Sequence, residues 1–597
     1  MLMTTEMAVR TGDTFELWAR RRSTAALASS PALTMFSGDH VVYRIAALPP
    51  YFEHFAYTHC ADGILRLEWE SDDLEPSLFY RYNPSTVRKD GITLLRLTDG
   101  DLEPWPAARL PAWYEAEAGR PILRFSPPQG WMNDPNGLCR LGEDYHLFYQ
   151  FHPNGTDWGP MHWGHAVSRD LYRWTHLPVF VHPQQNLAAL EATGGAFSGN
   201  AFFDRDGQLS FYYTERLPAY DLFKNYKEIQ RRMVPSADLL RPLANRVVQT
   251  EGGPGTAHDV RDPKVWYDEQ AQLYRMVLGA AVDGDPAIVL HSSPDGYAWT
   301  YTSVLYRAPA RFREGGARCA ECPDFFPLDG HWVLIAGFVG YTEVETGRHN
   351  LLYAAVGSFE GGVFIPYSDE LQELDFGTDY YAMQSFWDGR RQLALAWLFN
   401  WEFRKPAGSD YSGELSLPRV LTLSQSGRLA MQPEATYTTL RGAPIALKEG
   451  RCLFPAAVRA VELQLSGSLG EVSIVGRSAS GETFSIRHSA GRLQIEVPED
   501  ATPGITSRSA MIRPNQLHVF FDTGVLEVFV NDGMVCGTRR TYAVADLRSI
   551  EVHSPMGVPG ILAYELSSAW GSATVVGPAP PKAERSAGVD RPDFADI

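Results

Sequence analysis

The amino-acid sequence predicts an all-β protein with a five-bladed β-propeller at its centre. Five passages in the middle of the chain each begin with a turn containing Asp, Glu or Gly and continue into a run of apolar and aromatic residues. The turns lie near positions 143, 206, 269, 329 and 388, a spacing of roughly 60 residues, which is typical of radial or stacked β repeats. Five evenly spaced copies make chance similarity between ordinary β-hairpins the weaker explanation.

The region before the repeat, residues 1–118, is predicted to form a small β-rich domain. Its stretches "HVVYRIAAL", "GILRLEWE" and "DGITLLRLTDG" alternate apolar and polar residues, the pattern of short strands. It ends in a proline-rich connector, "EPWPAARLPAWYEAEAGRP". Three roles stay open for this region: oligomerisation, packing on the propeller, or shaping the entrance of a site.

The propeller is assigned to residues 119–432, and its innermost strands carry the candidate site. The stretches just before the five turns are "WMNDPNGLCR", "FSGNAFF", "RDPKVWY", "ECPDFFP" and "YYAMQSF". Because the first strand of each blade lines the central axis, we expect Asp134, Ser198, Asp262 and Glu321 to occupy comparable places around one funnel. Three carboxylates in one pocket raise one another's pKa, so their presence indicates chemistry or bound cations.

Two carboxylates that flank a glycosidic bond are the usual machinery of glycoside hydrolysis. Glu321 precedes Cys-Pro-Asp-Phe-Phe, which predicts an apolar setting that keeps an acid protonated. Asp134 lies in an Asn-Asp-Pro turn whose donors are expected to keep it ionised as a nucleophile. Asp262 follows Arg261, whose positive charge is expected to keep that carboxylate ionised as well.

The motifs "WMNDPNG", "FSGN", "RDPKVW" and "ECPDFF", in this order, resemble glycoside hydrolase family 32 over about residues 120 to 575. The resemblance implies a catalytic propeller followed by a β-sandwich, a retaining double displacement, and no metal or organic cofactor. It implies that Asp134 is the nucleophile, Glu321 the acid/base and Asp262 the transition-state stabiliser. The positions that match the family's fructose pocket are Asn133, Gln150, Trp158, Phe197, Ser198 and Arg261.

The activity that the resemblance implies is release of terminal, non-reducing β-D-fructofuranosyl residues from sucrose and short fructo-oligosaccharides. The motifs do not separate this hydrolase from a fructosyltransferase, which passes the same intermediate to a sugar acceptor, or from an exo-acting inulinase or levanase. A sucrose-6-phosphate hydrolase is a narrower variant that also stays open. A propeller that only binds carbohydrate is disfavoured because all three carboxylates are present. A zinc enzyme that uses Cys319 and Cys322 is a further alternative.

Residues 437–575 are predicted to be β again, and the resemblance assigns them to the C-terminal β-sandwich. "HVFFDTGVLEVFVNDGMV" alternates apolar residues and contains an Asn-Asp-Gly turn, which is typical of hairpins. The tail, residues 576–597, is rich in Pro and polar residues and is predicted to be disordered.

The composition indicates which binding partners and which cellular compartment to expect. The 597-residue chain carries a formal net charge of −18, so we expect no nucleic-acid partner. No apolar stretch approaches the roughly 18 residues of a membrane span, and the N-terminus shows no apolar leader. Together with the small number of cysteines, six in all, the lack of an apolar leader predicts a cytoplasmic protein, or a secreted one if a leader was removed. A small carbohydrate is the expected partner, and homo-oligomerisation stays open.

The Cys-x-x-Cys pair around Glu321 has no second pair at a useful spacing, so neither a closed zinc site nor a thioredoxin-like role is supported. Because side chains alternate along a strand, Cys322 is expected to point away from Glu321, and Cys319 to share its face. His152, His162 and His165 match no standard metal spacing and are expected to be structural.

Overall fold

The structure, a computed structural model, confirms the all-β fold class and the propeller followed by a sandwich. Residues in the predicted disordered tail lie outside the described part of the chain. No helix among the described residues is long and apolar enough to cross a membrane. The described residues are 2–22, 32–97, 101–218, 226–256, 259–398, 401, 408–467, 469–498, 507–543, 545–555, 557 and 560–570.

The N-terminal region forms two antiparallel sheets that pack against each other. Apolar side chains from both sheets, including Phe15, Leu67 and Phe79, form the core between them. The first sheet consists, in sheet order, of Leu2–Val9, Gly63–Glu70, Leu33–Ser37 and His40–Ile45. The second consists of Glu53–Thr58, Thr14–Arg21, Leu74–Tyr82, Thr93–Leu97 and Leu102–Trp105.

Five antiparallel sheets form the blades of the propeller, and their first turns lie at the five predicted positions. From the inside outwards, blade 1 is Gly130–Leu141, Asp144–His152, His162–Ser168 and Trp174–Val181. Blade 2 is Gly195–Phe203, Leu209–Pro218, Tyr226–Pro235 and Pro242–Gln249. Blade 3 is Arg261–Asp268, Leu273–Val282, Asp285–Ser293 and Thr300–Arg307. Blade 4 is Cys319–Leu328, His331–Val339, Leu352–Glu360 and Val363–Pro366, with Gln372–Glu373 beside its third strand. Blade 5 is Tyr381–Trp387, Gln392–Trp397, Arg419–Leu423 and Leu429–Pro433.

The ring of blades closes between blade 5 and blade 1. The inner strands neighbour one another in order, and the inner strand of blade 5 lies beside that of blade 1. Tyr411–Ser412, which comes after the second strand of blade 5, pairs in parallel with Gly130 and Trp131 at the start of blade 1. Backbone hydrogen bonds therefore connect the last blade to the first.

Two six-stranded sheets form the C-terminal sandwich, with an aliphatic and aromatic core between them. One sheet consists of Arg441–Pro444, Gly560–Leu566, Ala460–Ser466, Gln516–Asp522, Val525–Val530 and Val535–Arg540. The other consists of Arg451–Val458, Leu547–His553, Val472–Ser478, Gly481–Ser489, Arg492–Glu496 and Ser507–Met511.

Helices in the described residues are short and lie in connections. They are α1 (Val87–Asp90), α2 (Leu110–Ala116), α3 (Asn186–Ala189) and α4 (Ala310–Glu314), with 3-10 turns at Ala107–Arg109 and Ala435–Leu440. The second helix lies in the predicted proline-rich connector. Its buried Tyr114 hydroxyl lies 2.9 Å from Nε2 of His176, so the connector is bound to the outer strand of blade 1.

The N-terminal domain packs on blade 1, which is one of the three roles left open by the sequence. The Ser77 hydroxyl donates to the Pro153 carbonyl at 2.6 Å, and the Tyr80 hydroxyl accepts from the Val179 amide at 3.0 Å. Trp18 Nε1 donates to His162 Nε2 at 3.3 Å. The contacts at Pro153 and His162 bracket the connection between the second and third strands of blade 1, and the contact at Val179 lies on the fourth strand.

A buried ionic network joins the propeller to the sandwich. Arg124, which precedes blade 1, bonds Asp522 at 2.7 Å and Glu527 at 2.8 Å on the sandwich. Arg419 of blade 5 bonds the other oxygen of Glu527 at 2.8 Å. All four side chains are fully buried, so each charge depends on its partners for solvation. Burial alone would raise the pKa of Glu527, but the two guanidinium groups lower it below its usual range.

Replacing Glu527 with Gln is expected to destabilise the protein by roughly 3–5 kcal/mol, because two buried guanidinium groups lose their shared anion. Urea unfolding followed by tryptophan fluorescence measures the change. Glu482→Gln is the control, because Glu482 pairs with Arg477 at 3.5 Å on an exposed surface and should change stability by less than about 0.5 kcal/mol. Equal shifts in the two variants would contradict a role for the network.

Candidate active site

The inner strand of every blade contains a β-bulge at the same level of the propeller. In each case two residues lie opposite a single residue of the second strand, which breaks the regular register. Bulges of this kind redirect side chains and are common beside active sites. The bulged pairs are Asn133–Asp134, Phe197–Ser198, Asp262–Pro263, Cys322–Pro323 and Ala382–Met383.

The bulges of blades 3, 4 and 5 begin with a residue in the left-handed region. Asp262, Cys322 and Ala382 have φ values of 62°, 47° and 50°. Such a conformation costs a non-glycine residue about 1–2 kcal/mol, so the surrounding structure must enforce it. The four predicted residues are therefore not in strictly equivalent places. Asp134 and Ser198 are second in their bulges, Asp262 is first, and Glu321 comes just before its bulge.

Asp134 is buried and held by donors from three blades. Its Oδ2 accepts from Gln150 Nε2 at 3.0 Å and from the Ser198 hydroxyl, and the Cys322 thiol lies 3.5 Å away. Its Oδ1 accepts from Asn133 Nδ2 at 3.1 Å. Oδ1 thus has fewer donors than Oδ2 and is the oxygen with more capacity to bond a ligand.

Asp262 is also buried and is held mainly by backbone groups. Its Oδ2 accepts from the Cys322 amide at 2.9 Å, and its own amide donates to the Thr214 hydroxyl at 2.8 Å. The nearest nitrogen of Arg261 lies 3.9 Å from Oδ2, at the limit of an ion pair.

Glu321 is the most exposed of the three carboxylates, with an 18% exposed side chain. Its Oε1 accepts from Arg261 Nη2 at 2.7 Å, and its Oε2 accepts from the Tyr381 hydroxyl at 2.8 Å. The expected apolar setting is wrong, because Phe325 and Phe326 pack into hydrophobic clusters away from the carboxylate.

Two glycines allow these contacts to form. A Cβ on Gly337, which pairs with Glu321, would lie 2.7 Å from the Tyr381 ring. A Cβ on Gly279 would lie 2.3 Å from the Ala320 carbonyl oxygen. Only a residue without a side chain fits beside Glu321 at these two positions.

Burial controls the protonation of the two aspartates. It raises the pKa of Asp134 to about 6, with a further contribution from Glu321 and with opposition from the Ser198 and Asn133 donors. It raises the pKa of Asp262 to about 7, although the charge of Arg261 opposes the shift. The expectation that Arg261 keeps Asp262 ionised is therefore wrong. Burial raises the pKa of Asp262 by more than the charge of Arg261 lowers it, because the guanidinium lies closer to Asp259 and Glu321.

Arg261 itself is fixed by a set of anions. Its Nη1 lies 2.7 Å from Asp259 and 3.4 Å from Glu228, while Nη2 bonds Glu321. Nη2 also lies 3.3 Å from the sulfur of Cys319. Arg261 is thus a positioned cation that orients Glu321 at the wall of the cavity.

The three carboxylates line one cavity of about 460 Å³ in the centre of the propeller. Of the predicted pocket residues, Asn133, Gln150, Trp158, Phe197 and Arg261 line it, and Ser198 lies behind Asp134 as its donor. Lining residues that sequence reasoning did not assign are Arg216, Arg318, Cys322, Val339, Gly340, Asn350, Tyr381 and Trp401. Of these, Cys322 and Tyr381 lie in inner-strand stretches, so their place in the repeat could have indicated that they line the cavity.

The prediction for Cys322 is wrong, whereas Cys319 does lie on the side of Glu321, since both contact Nη2 of Arg261. Cys322 lines the cavity, with its thiol 3.5 Å from Asp134 Oδ2 and 3.6 Å from Asp262 Oδ2. Cys319 instead lies beside Arg261, outside the cavity lining. The bulge at Cys322 interrupts the strict alternation on which the prediction rested.

The three histidines singled out in the sequence do not converge on one ion. The His152 and His162 rings both bond the Pro160 carbonyl, at 3.3 and 3.1 Å. The His165 ring lies 3.0 Å from that of His146. Their contacts are structural, as expected.

Two family models match the chain. Residues 124–433 match the glycosyl hydrolases family 32 N-terminal domain, and residues 454–567 match the family 32 C-terminal domain. Raffinose invertase of Escherichia coli is 33% identical over 485 residues, which cover 78% of this chain and 96% of that protein. Sucrose-6-phosphate hydrolase of Escherichia coli is 32% identical over 466 residues, which cover 73% of this chain and 92% of that protein.

Solved structures share the fold. A family 32 glycoside hydrolase from Bifidobacterium adolescentis matches with a TM-score of 0.82 at 24% identity, over 95% of this chain and all of that one. A Bombyx mori family 32 β-fructofuranosidase variant in complex with sucrose matches with a TM-score of 0.65 at 26% identity, over 78% of this chain and 98% of that one.

The thiols of Cys319 and Cys322 should be inert in the native protein, because burial raises the pKa of both. We expect a disulfide reagent such as Ellman's to react fast with exposed Cys60, and with these two only after denaturation. Cys60→Ser should remove the fast phase. Rapid native labelling of Cys322 in that variant, located by peptide mapping, would contradict the burial of its thiol.

Proposed function

The chain belongs to glycoside hydrolase family 32, and from this we propose that it is a β-fructofuranosidase that hydrolyses sucrose and short fructo-oligosaccharides. The observation that carries the proposal is the convergence of Asp134, Asp262 and Glu321 on one central cavity. The Bombyx mori β-fructofuranosidase variant solved in complex with sucrose supports sucrose as the substrate, and the relatives named raffinose invertase and sucrose-6-phosphate hydrolase support the same class of sugar.

In the first step, Asp134 attacks the anomeric carbon of the fructosyl unit. A bond forms from Oδ1, which accepts only one hydrogen bond, and the bond to the leaving oxygen breaks. Glu321 donates its proton to that oxygen, and the glucosyl product leaves. Gln150 and Ser198 donate to Oδ2 and hold the attacking carboxylate in a fixed orientation, which lowers the entropic barrier.

In the second step, the ionised Glu321 takes a proton from a water molecule, and the water oxygen attacks the same carbon. The bond to Asp134 breaks and fructose leaves with retained configuration after two displacements. Arg261 and Tyr381 hold the two oxygens of Glu321, which keeps its carboxyl group in one position through both steps. Asp262 is proposed to bind sugar hydroxyls and to offset the positive charge of the transition state.

A cytoplasmic location is part of the proposal and is supported by the state of the cysteines. All six are free, which suits a reducing compartment. Fractionation of producing cells, with the protein followed by immunoblot, tests this location.

Asp134→Asn and Glu321→Gln should each reduce fructose release from sucrose by roughly 10⁴-fold or more, because each removes a group that reacts. The two variants should differ in their activity on an aryl fructoside, because its good leaving group needs little protonation from Glu321. Azide should then restore turnover of Glu321→Gln by replacing the activated water, and should not rescue Asp134→Asn.

Asp206→Asn is the matched control, because Asp206 lies in an exposed turn of blade 2 and should retain full activity. Wild-type activity in either active-site variant would overturn the mechanism. If the wild-type enzyme made mainly fructosylated oligosaccharides at low sucrose, the hydrolase proposal would fail in favour of a transferase.

The kcat/KM for sucrose should fall as the pH drops from about 7 through about 6, because protonation of Asp262 removes the charge that offsets the transition state and protonation of Asp134 removes the nucleophile. Ser198→Ala removes a donor that favours the charged carboxylate, so the acid limb should move to higher pH. Initial rates across the pH range measure both profiles. An unchanged or lower midpoint in Ser198→Ala would count against this assignment.

A further inference from the structure

One carboxylate and two imidazoles meet where the N-terminal domain faces blade 1. Glu16 lies on Thr14–Arg21, His54 lies on Glu53–Thr58, and His182 directly follows the outer strand of blade 1. One ligand atom from each residue lies within 4.8 Å of the other two. None of the three lines the central cavity, so this cluster is separate from the proposed active site.

Glu16 is held in place by hydroxyl groups. It is only 7% exposed, and its Oε2 accepts from the Tyr80 hydroxyl at 2.9 Å and lies 3.1 Å from His54 Nε2. Its Oε1 accepts from the Tyr82 hydroxyl at 3.1 Å. Donors behind a carboxylate fix its direction, which is the arrangement that surrounds carboxylate ligands in metal sites.

His182 supplies the exposed side of the cluster. Its ring stacks on Trp18 at 5.6 Å and lies 4.3 Å from the His54 ring, measured between centroids. Within the described part of the chain, its ring nitrogens make no hydrogen bond. An ion can therefore reach the cluster from solvent and bond a nitrogen that has no other partner there.

His162 also lies nearby, but both of its ring nitrogens already have hydrogen-bond partners. Its Nε2 accepts from Trp18 Nε1, and its Nδ1 lies 3.1 Å from the Pro160 carbonyl. That leaves two imidazoles and one carboxylate as the available donors.

We propose that Glu16, His54 and His182 bind a divalent transition-metal ion of the zinc class, with water in the remaining position. Nitrogen and carboxylate donors in this ratio suit Zn²⁺ and Co²⁺ and do not suit Mg²⁺ or Ca²⁺, which prefer oxygen alone. The 3.1 Å between Glu16 Oε2 and His54 Nε2 is close to the roughly 3.3 Å that separates two ligands on a tetrahedral ion with bonds of about 2.0 Å. Binding requires His54 to carry its ring proton on Nδ1.

The ion would connect two domains. Glu16 and His54 come from the N-terminal domain and His182 from the propeller, so the complete set of donors exists only when both are folded and packed together. Binding should therefore stabilise the docked arrangement by mass action.

The test uses full-length protein without a polyhistidine tag, stripped with a chelator and then titrated with Co²⁺. We expect one ion per chain, a visible absorption band of low-symmetry cobalt, and displacement of cobalt by Zn²⁺. His54→Ala and His182→Ala should each weaken binding at least about 10-fold. His40→Ala, which removes an exposed histidine of the same domain, should bind as the wild type does.

Thermal unfolding gives a second readout. Zn²⁺ should raise the midpoint of the wild type and of His40→Ala by a few degrees, with no rise in His182→Ala and no effect of Mg²⁺. Absence of saturable binding to the stripped wild type, or undiminished binding in both cluster variants, would overturn the proposal. Neither measurement uses sucrose, so a failure of the metal-site proposal can be distinguished from a failure of the proposed glycosidase activity.

Discussion

The constraint on which the structure depends is the burial of three carboxylates around one axis. Removal from water raises the pKa of Asp134 and of Asp262, and their mutual repulsion adds to the cost. The fold offsets this cost with hydroxyl, amide and backbone donors aimed at each carboxylate, and with the Arg261 guanidinium beside Glu321. The five bulges provide this geometry, because each breaks its strand at the level where a side chain must turn inward.

The rest of the molecule keeps the five inner strands in position. Tyr411–Ser412 closes the ring against blade 1, and the buried pairs of Arg124 and Arg419 with Glu527 attach both ends of the propeller to the sandwich. The N-terminal domain packs on blade 1 as well. Its contacts with Pro153 and His162 flank the connection that carries Trp158, a wall of the cavity. Domains that contribute no residue to the cavity lining thus contribute to the position of its wall.

Local pattern predicted the blades well and the site in part. Alternating and aromatic strands at a regular spacing follow from burial on a pleated sheet, which acts over a few residues. The direction of Cys322 and the surroundings of Glu321 were predicted incorrectly, because both depend on a bulge and on neighbouring blades. Arg261 and Tyr381, the two partners of Glu321, each lie 60 residues away in the chain, one repeat before and one repeat after it. Arg318 and Asn350 line the cavity without any local motif that would indicate it.

The sequence by itself determined the all-β class, the number of blades, the family and which three carboxylates meet in the central cavity, because these follow from short motifs and from their spacing. The tertiary structure alone decided which groups touch those carboxylates. It placed the Cys322 thiol between Asp134 and Asp262, turned Arg261 towards Glu321, and packed the N-terminal domain on blade 1. The physical reason is that pKa and orientation depend on burial and on contacts across blades, and closure of the ring creates both.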